Sequence, residues 1–260
     1  MKIVCCLAEV PAHETRYEIN SECTWIEEAD LTYQINECDE YALEEALRLQ
    51  EKHGGEVIIL TLGREQAEKS MRKALAMGAN RGILVKDEDR KLSSPHALAA
   101  TMAEVLKQEE YDLVLAGTQS DDYSYAQTAV ILAELLDLPH VTIVMEIEVR
   151  PEEKKVKALR EMESGWFQWV EIPFPALLTI QAGISHVRYA SLKGIMQARN
   201  KEIRKIDLNR LSVNLESIPR LDVLRLYFPR VVKKAEILQG DTESVVATLV
   251  ERLKKEAKVL

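Results

Sequence analysis

The stretch of sequence that decides the fold is Ala116-Gly-Thr-Gln-Ser-Asp-Asp-Tyr-Ser-Tyr-Ala-Gln-Thr128. It joins a short apolar run at residues 111–116, which predicts a buried strand, to an apolar helix at residues 125–138 that Pro139 ends. In an open parallel sheet, a loop from the carboxyl end of a strand to a helix exposes free backbone N–H groups that bind anions and nucleotides. We therefore predict a nucleotide site in this loop, and helix caps at Asp121, Asp122 and Ser124.

The loop lacks the glycine patterns of the common dinucleotide and triphosphate sites. It contains Gly117 but neither G-x-G-x-x-G nor G-x-x-x-x-G-K-[ST]. Its two aspartates would also repel a triphosphate. A ligand with a single phosphate, held by backbone amides together with Gln127 and Thr128, suits the loop better than ATP with magnesium. The alternative, an ordinary connection between strand and helix, stays open at this point.

The composition is that of a globular protein with an acidic surface. The 260 residues are 47% hydrophobic and 30% charged, with a formal net charge of -9. No apolar run approaches the ~18 residues of a membrane span, and the first residues do not resemble a secretory signal, so we expect a cytoplasmic protein without membrane insertion. The acidic balance argues against nucleic acid as a partner, because phosphate neutralisation needs a concentrated basic face.

The cysteines and histidines show no metal-binding or catalytic spacing. The five histidines are scattered, and C-x-x-C spacing is absent among Cys5, Cys6, Cys23 and Cys38. We therefore predict free thiols and no metal. No nucleophile is paired with a base, so no catalytic residue is predicted.

Strand and helix patterns alternate along the first half of the chain. The predicted strands are residues 2–7, 56–62, 81–85 and 111–116. The predicted helices follow Asn36 and cover residues 65–77, 92–108 and 125–138. A loop is predicted at residues 8–11, and a small hairpin is predicted from residues 17–19 and 24–26. The alternation indicates an α/β protein with a doubly wound, Rossmann-like parallel sheet.

After Pro139 the pattern becomes that of antiparallel strands. These are residues 141–150, 154–161 and 165–172, and Trp166, Phe167 and Trp169 are predicted to pack this extension on the main sheet.

A last buried strand at residues 176–181 completes a predicted core over residues 1–206. Residues 207–260 contain few strand patterns and a helix at residues 242–258. We predict a C-terminal arm, because apolar side chains such as Leu224, Leu226, Tyr227 and Phe228 have no local core and need a partner.

With these segments in place, the chain resembles the β subunit of electron transfer flavoprotein across essentially its whole length. The motifs that carry the resemblance are N-E-C-D-E-Y-A-L-E-E-A-L-R at residues 36–48, R-K-A-L-A-M-G-A-N-R-G-I-L-V at residues 72–85, the loop at residues 117–128, and P-A-L-L-T…R-Y-A-S-L-K-G-I-M at residues 175–196. The resemblance implies an electron carrier, not a catalyst, that pairs with an α subunit. It further implies that the α subunit holds the redox FAD, that this subunit binds a structural AMP, and that flavin-containing dehydrogenases donate electrons that pass to a downstream acceptor.

The resemblance also implies roles for particular residues. The AMP contacts fall on Cys6, Asn36, Glu37, Cys38, Asp39, Leu62, Gly117, Thr118, Gln119, Ser120, Asp121, Asp122, Tyr123, Ser124, Tyr125, Ala126, Gln127 and Thr128. His13 is placed near the flavin ring. The dehydrogenase docks on Leu192, Ile195 and Met196, with Leu192 expected at a loop tip.

The loop departs from the usual family pattern at Tyr123, Ser124 and Ala126. This variant is similar to β subunits that serve trimethylamine-type dehydrogenases. Two alternatives stay open. One is a β subunit of a bifurcating flavoprotein with a second FAD in place of AMP, and the other is a stand-alone adenine nucleotide-binding protein of the stress type.

Overall fold

The computed structural model describes residues 1–89, 92, 94–219, 221–229 and 235–260. They divide into two units, Met1–Leu224 and Arg225–Leu260. The predicted boundary at 206/207 lies within the first unit, where Leu208, just beyond the last strand, is buried against the core.

In the first unit, strands and helices follow each other much as the sequence predicts. The strands are β1 (Lys2–Cys6), β2 (Glu9–Pro11), β3 (Tyr33–Ile35), β4 (Glu56–Gly63), β5 (Arg81–Lys86), β6 (Leu113–Gly117), β7 (His140–Arg150), β8 (Lys155–Glu161), β9 (Phe167–Pro173), β10 (Ala176–Ile180) and β11 (Ile203–Asp207). The helices are α1 (Glu37–His53), α2 (Glu68–Met77), α3 (Pro95–Leu106), α4 (Thr128–Leu135) and α5 (Leu192–Ala198).

The described strands form a nine-stranded sheet and a two-stranded ribbon. The large sheet has the order β11-β5-β4-β1-β6-β10-β7-β8-β9. It is parallel from β11 to β7 and antiparallel from β7 to β9. The predicted parallel sheet with an antiparallel extension is confirmed.

Helices cover both faces of the sheet. Ile3 and Cys5 pack in a cluster with residues of α1, α2 and α5, whereas Val4 and Cys6 pack with residues of α3 and α4. Because β1 is covered on both sides, its side chains form a continuous apolar run instead of an alternating one. The sheet is therefore doubly wound, as predicted.

The strand order reverses between β1 and β6. From β1 the chain builds outward through β4 and β5 on one side, and it then returns to place β6 on the other side of β1. The helices that leave the two strands therefore cross to opposite faces, which opens a crevice at the carboxyl ends.

Several local predictions are wrong in the short elements. The predicted loop at residues 8–11 contains β2, which pairs antiparallel with β3. The predicted hairpin at residues 17–26 is reduced to a single bridge between Ile19 and Ile26. Its side chains are exposed or half-buried, so neither strand has an apolar face to bury and an isolated hairpin is only marginally stable. The edge strand β11 was not predicted, because its sequence I-R-K-I-D reads as mainly polar.

Two helices begin later than predicted. Helix α3 starts at Pro95, where the Ser94 side chain accepts a hydrogen bond from Ala97 N–H, and not at residue 92. Helix α4 starts at Thr128, and not at residue 125. The reason is that Ser124 and Ala126 both have left-handed backbone conformations, which a right-handed helix cannot contain.

The aromatic residues of the antiparallel extension do not pack on the sheet as predicted. Trp166 is 74% exposed, and Phe167 and Trp169 are also exposed. Successive side chains of a strand point to opposite faces. In β9, Val170 and Ile172 take the face toward the core, so Phe167 and Trp169 lie on the opposite face, and Trp166 precedes the strand.

The second unit, Arg225–Leu260, contains the helix α6 (Thr242–Arg252), followed by a π turn at Leu253–Ala257 in place of the predicted continuation to residue 258. Asp241 caps α6 by accepting from Ser244 N–H at 3.0 Å. None of the residues of α6 is buried, and Tyr227 and Phe228 are exposed. Across the described ranges, no helix is both long enough and apolar enough to cross a membrane.

Candidate functional site

A cleft of about 260 Å³ opens at the crevice between β1 and β6. Residues at the carboxyl ends of β1, β4 and β6 line it, together with the loop that leads into α4. Side chains of α3 and α4 complete the lining. The predicted site loop therefore lies at the position where doubly wound folds bind their ligands.

The cleft brings together most of the residues that the resemblance assigns to AMP. Those lining it are Cys6, Asn36, Asp39, Leu62, Gly117, Thr118, Gln119, Ser120, Asp122, Tyr123, Tyr125, Ala126, Gln127 and Thr128. Four others are not part of the lining, namely Glu37, Cys38, Asp121 and Ser124. For all eighteen residues, contact with a nucleotide stays a prediction.

Part of the lining was not predicted from the sequence. It includes Leu7, Ala8 and Glu9 after β1, and an apolar group from α3 and α4 formed by Leu98, Met102 and Leu132. The residues after β1 could have been found, since they also follow the carboxyl end of a parallel strand. The apolar group could not, because its side chains read as ordinary helix core until the position of α3 is known.

Asp39 is the central polar residue beneath the cleft. Its Oδ1 accepts a hydrogen bond from Gly117 N–H at 2.6 Å, and its Oδ2 accepts one from Ala8 N–H at 2.8 Å. The side chain thereby ties the start of α1 to the ends of β1 and β6. Burial raises the pKa of Asp39 from 3.8 to about 7, although the two N–H groups lower it.

Gly117 is required where β6 meets α1. A β-carbon at this position would lie 2.5 Å from Asp39 Oδ1 and 2.7 Å from Cys38 Cβ. No side chain fits there, so glycine permits the end of β6 to approach the first turn of α1.

Asn36 and Asp121 join the site loop to the start of α1. Asn36 donates from Nδ2 to Gln119 O at 2.9 Å and accepts at Oδ1 from Asp121 N–H at 2.9 Å. Asp121 Oδ2 in turn accepts from Glu37 N–H at 3.0 Å. The prediction that Asp121 caps α4 is wrong, because its carboxylate bonds the first N–H of α1 across the loop.

The other two predicted caps are also wrong. Gln127 precedes α4 and makes no capping hydrogen bond with its side chain. Asp122 accepts from Tyr123 N–H at 2.7 Å, and Ser124 Oγ donates to Ser120 O at 3.1 Å. No described side chain therefore caps α4, and its first backbone N–H groups have no partner within the helix.

The cleft has an acidic lining. Asp39, Asp122 and Glu9 contribute carboxyl groups, and none of the described lining residues is Lys or Arg. Among these described residues, the groups that can bind an anion are backbone N–H groups, hydroxyls and side-chain amides.

His13 lies beside the site loop. Its Nε2 is 3.5 Å from Asp121 Oδ2, and its side chain is exposed. His13, Glu37 and Asp121 offer ligand atoms within 4.8 Å of one another, but exposed acidic groups commonly come together without an ion. The expectation that the chain binds no metal stays a prediction.

The four cysteines are free thiols, as predicted, and those near the cleft are not activated as nucleophiles. Cys5, Cys6, Cys23 and Cys38 form no disulfide. Burial, and then the nearby Asp39 carboxylate, raise the pKa of Cys6 to about 12. Burial likewise raises the pKa of Cys38. Both thiols are therefore protonated near neutral pH, which argues for packing and against reactivity.

The predicted docking residues lie on α5, and they are exposed. Leu192 is 83% exposed and Met196 is 72% exposed, while Ile195 is 45% exposed. Leu192 is the first residue of α5 and not a loop tip, because Ser191 Oγ accepts from Gly194 N–H and begins the helix.

Helix α5 packs closely against α2. A β-carbon at Gly194 would lie 2.2 Å from Ala76 O, so the two helices are in close contact there. Arg72 of α2 donates to Ala198 O and Lys201 O, both at 2.7 Å, and Lys201 Nζ donates to Leu75 O at 2.9 Å. Arg72 thus bonds the carbonyl end of α5, and Lys201, which follows α5, bonds a carbonyl near the end of α2.

The segment before α5 is held by an ion pair between the half-buried Arg188 and the buried Glu44. Arg188 Nε donates to Glu44 Oε2 at 2.8 Å, and its guanidinium also bonds Glu51. Burial alone would raise the pKa of Glu44, but hydrogen bonds from Arg188 and Arg48 outweigh it and hold the pKa below its ordinary value. The chain is therefore fixed to α1 immediately before Tyr189, which is 98% exposed.

The fold and the cleft define an α/β protein with a doubly wound sheet and a ligand cleft at its switch point. The electron transfer flavoprotein domain matches residues 23–211. The chain is 34% identical to the electron transfer flavoprotein subunit beta of Methylophilus methylotrophus over 257 residues, which are 96% of this chain and 97% of that protein. It is 35% identical to the same subunit of Bacillus subtilis over 250 residues, covering 95% of this chain and 96% of that one.

A third relative, the electron transfer flavoprotein subunit beta of Bradyrhizobium diazoefficiens, is 35% identical and aligned over the full length of both chains. The chain belongs to the electron transfer flavoprotein family. The three relatives are each named as a beta subunit of an electron transfer flavoprotein. The resemblance found in the sequence motifs is confirmed.

Proposed function

We propose that this chain is the β subunit of a heterodimeric electron transfer flavoprotein that binds AMP in the cleft between β1 and β6. The α subunit holds most of the FAD, which accepts electrons from flavin-containing dehydrogenases and releases them to a downstream acceptor. AMP supplies no redox chemistry, so its role is structural. This chain contributes the cleft, part of the flavin surroundings and a docking surface.

The observation that carries the AMP proposal is a cleft at the switch point with acidic lining and an uncapped helix start. The first N–H groups of α4 lack a described side-chain cap, so they suit one phosphate group. The described lining carries the carboxyl groups of Glu9, Asp39 and Asp122, which disfavour the high negative charge of a triphosphate. Leu98, Met102 and Leu132 offer apolar surface in the same cleft.

Cleft volume favours a mononucleotide over the second FAD of a bifurcating flavoprotein. The cleft measures about 260 Å³, whereas ligand sites in proteins span about 300–1,000 Å³. The cleft of this chain is thus at the small end of that range, which supports the smaller of the two ligands, AMP. The stand-alone stress-type alternative is disfavoured by membership in a family whose named members here are subunits.

The test is the nucleotide content of the purified complex. The chain is co-expressed with its α subunit, the complex is denatured with acid, and the released nucleotides are separated. One AMP and one FAD per heterodimer are expected. Two FAD and no AMP would assign the protein to the bifurcating class, and no nucleotide other than the α-subunit FAD would refute the AMP proposal.

The position of His13 supports a contact with FAD across the subunit interface. Its exposed side chain stands beside Asp121 at the outer end of the site loop. Replacing His13 with Ala in the complex should shift the flavin absorption spectrum without removing AMP. A spectrum identical to that of the unmodified complex would show that His13 is an ordinary loop residue.

The exposed residues of α5 support a docking site for the dehydrogenase. Leu192, Ile195 and Met196 are apolar and exposed, and Lys193 and Arg199 beside them are charged. A small apolar anchor within a charged surround gives a contact that exchanges quickly, which suits a carrier. The donor is proposed to be a dehydrogenase of the trimethylamine type, from the loop variant at Tyr123, Ser124 and Ala126.

The C-terminal residues are proposed to bind the α subunit. Leu224, Tyr227 and Phe228 are exposed, and α6 buries none of its own side chains. The predicted arm of residues 207–260 thus keeps its proposed role, with its compact part beginning at Arg225. We propose a cytoplasmic location for the complex. A relative from rice is described as mitochondrial, so fractionation of the source cells is the test.

A further inference from the structure

Two tyrosines in the site loop line the cleft and stack on each other. The rings of Tyr123 and Tyr125 have centroids 5.5 Å apart and planes inclined by 15°. Both rings are large aromatic groups that remain nearly half exposed, at 47% and 44%. Tyr123 stands at a position where the loop departs from the usual pattern of its family.

The residues that follow the two tyrosines have an unusual backbone conformation. Ser124 and Ala126, which alternate with the tyrosines, have φ angles of +53°. Residues other than glycine rarely adopt this left-handed conformation, and such positions concentrate at ligand-binding sites. Ser124 is held in place by hydrogen bonds from its N–H and its Oγ to Ser120 O, at 2.9 Å and 3.1 Å.

Stacking on an aromatic face can make the cleft selective for a nucleobase. The described ionisable side chains in the lining include the carboxyl groups of Glu9, Asp39 and Asp122, which offer an anionic ligand no ion pair. Backbone N–H groups can hold a phosphate, but they do not distinguish a nucleotide from a sugar phosphate. A flat aromatic face does, because a nucleobase stacks on it and a sugar does not.

We propose that Tyr123 and Tyr125 form a stacking wall that selects ligands with a planar base and excludes simple sugar phosphates. This inference rests on the proposed AMP site and adds the residues that recognise the base. The ring faces carry the selectivity and the phenolic hydroxyls do not. Substitution of either tyrosine by phenylalanine should therefore preserve AMP binding, whereas substitution by leucine should weaken it.

The test compares two ligands that differ only by the base. The full-length chain is unfolded, freed of bound nucleotide and refolded, and then titrated calorimetrically with AMP and with ribose 5-phosphate. The double variant Tyr123→Leu/Tyr125→Leu should bind AMP at least about tenfold more weakly, equal to ~1.4 kcal/mol, while its affinity for ribose 5-phosphate stays the same. The double variant Tyr123→Phe/Tyr125→Phe should bind AMP within about twofold of the unmodified chain.

A spectroscopic readout separates stacking from a general effect on the loop. Base protons of AMP should show ring-current shifts in NMR spectra with the unmodified chain and the phenylalanine variant, and these shifts should be lost with leucine. Tyr189→Leu is the matched control, because Tyr189 is exposed but does not line the cleft. If the double leucine variant does not fold, Tyr125→Leu alone serves the same comparison.

The outcomes distinguish this inference from the function on which it rests. If the unmodified chain binds AMP and the leucine variant binds it equally well, or loses AMP and ribose 5-phosphate to the same extent, the stacking wall is refuted and the AMP site stands. If the unmodified chain binds no adenine nucleotide, both proposals fail.

Discussion

Asp39 Oδ1 accepts a hydrogen bond from the backbone N–H of Gly117 at 2.6 Å, across 78 residues of sequence. The bond joins the first turn of α1 to the end of β6, and it lies directly beneath the cleft. Both residues are buried. The shape of the cleft therefore depends on one carboxyl group and on one position without a side chain.

Gly117→Ala should destabilise the chain by about 1–3 kcal/mol, because the new methyl group would overlap Asp39 and Cys38. Gly63→Ala is the matched control. Gly63 also ends a parallel strand, but its β-carbon would meet only Ala67 Cβ, at an ordinary 3.5 Å. Urea unfolding of both variants measures the difference, and equal stabilities would contradict the close approach of β6 and α1.

Asp39→Asn should change how stability depends on pH. The pKa of Asp39 is raised from 3.8 to about 7 by burial, so the folded chain binds this proton more tightly than the unfolded chain between these values. The stabilisation from the bound proton is present below about pH 4 and lost as pH rises through about 7. Between pH 5 and pH 8 the unmodified chain should lose about 2–3 kcal/mol relative to Asp39→Asn.

Urea unfolding of both proteins at pH 5 and pH 8 tests this expectation. Other titrating groups cancel in the difference between the two proteins, because both contain them. The same pH dependence in the two proteins would mean that Asp39 remains ionised in the folded chain throughout this range.

Arg188→Ala should lower the free energy of unfolding by about 2 kcal/mol, since it removes a partner of the buried Glu44 carboxylate. The loss is smaller than for a fully orphaned charge, because Arg48 still bonds Glu44 Oε1 at 2.8 Å. Arg150→Ala is the control, as Arg150 pairs only with exposed carboxylates among the described residues and should change stability by less than about 0.5 kcal/mol. Thermal unfolding of the two variants decides the comparison.

Leu192→Ala should weaken docking of the dehydrogenase by about 1–3 kcal/mol and leave flavin content unchanged. The measurement is the rate of flavin reduction by the dehydrogenase, set against direct reduction by dithionite. Met162→Ala, which alters an exposed apolar residue outside α5, should affect neither rate. Loss of both reactions, or of neither, would show that Leu192 is structural.

A chain that ends at residue 224 should retain AMP but fail to form the heterodimer, because residues 225–260 form their own unit. A chain that ends at residue 206 should instead be unstable. It would cut β11 short and remove Leu208, which is buried in the core. Co-purification of the longer truncation with the α subunit would contradict the proposed role of the arm.

Much of the fold was predictable because it is written in local patterns. The apolar runs of β1 and β4, covered on both faces, and the periodic apolar positions of α1 are properties of short segments. The connection from β6 to α4 was also predictable, since an apolar strand, a polar loop and an apolar helix follow one another in a short segment. The family motifs are likewise local, and the comparisons agree with them.

What the sequence alone determined, then, is the order of strands and helices, the family, and the loop that enters α4. Only the tertiary structure decided that β6 lies beside β1, that Asp121 bonds the start of α1, and that Leu98 and Met102 face the cleft. The physical reason is that these are contacts between distant segments. An apolar strand is compatible with any neighbour, and an aspartate with any free N–H, until the packing of the whole sheet selects one.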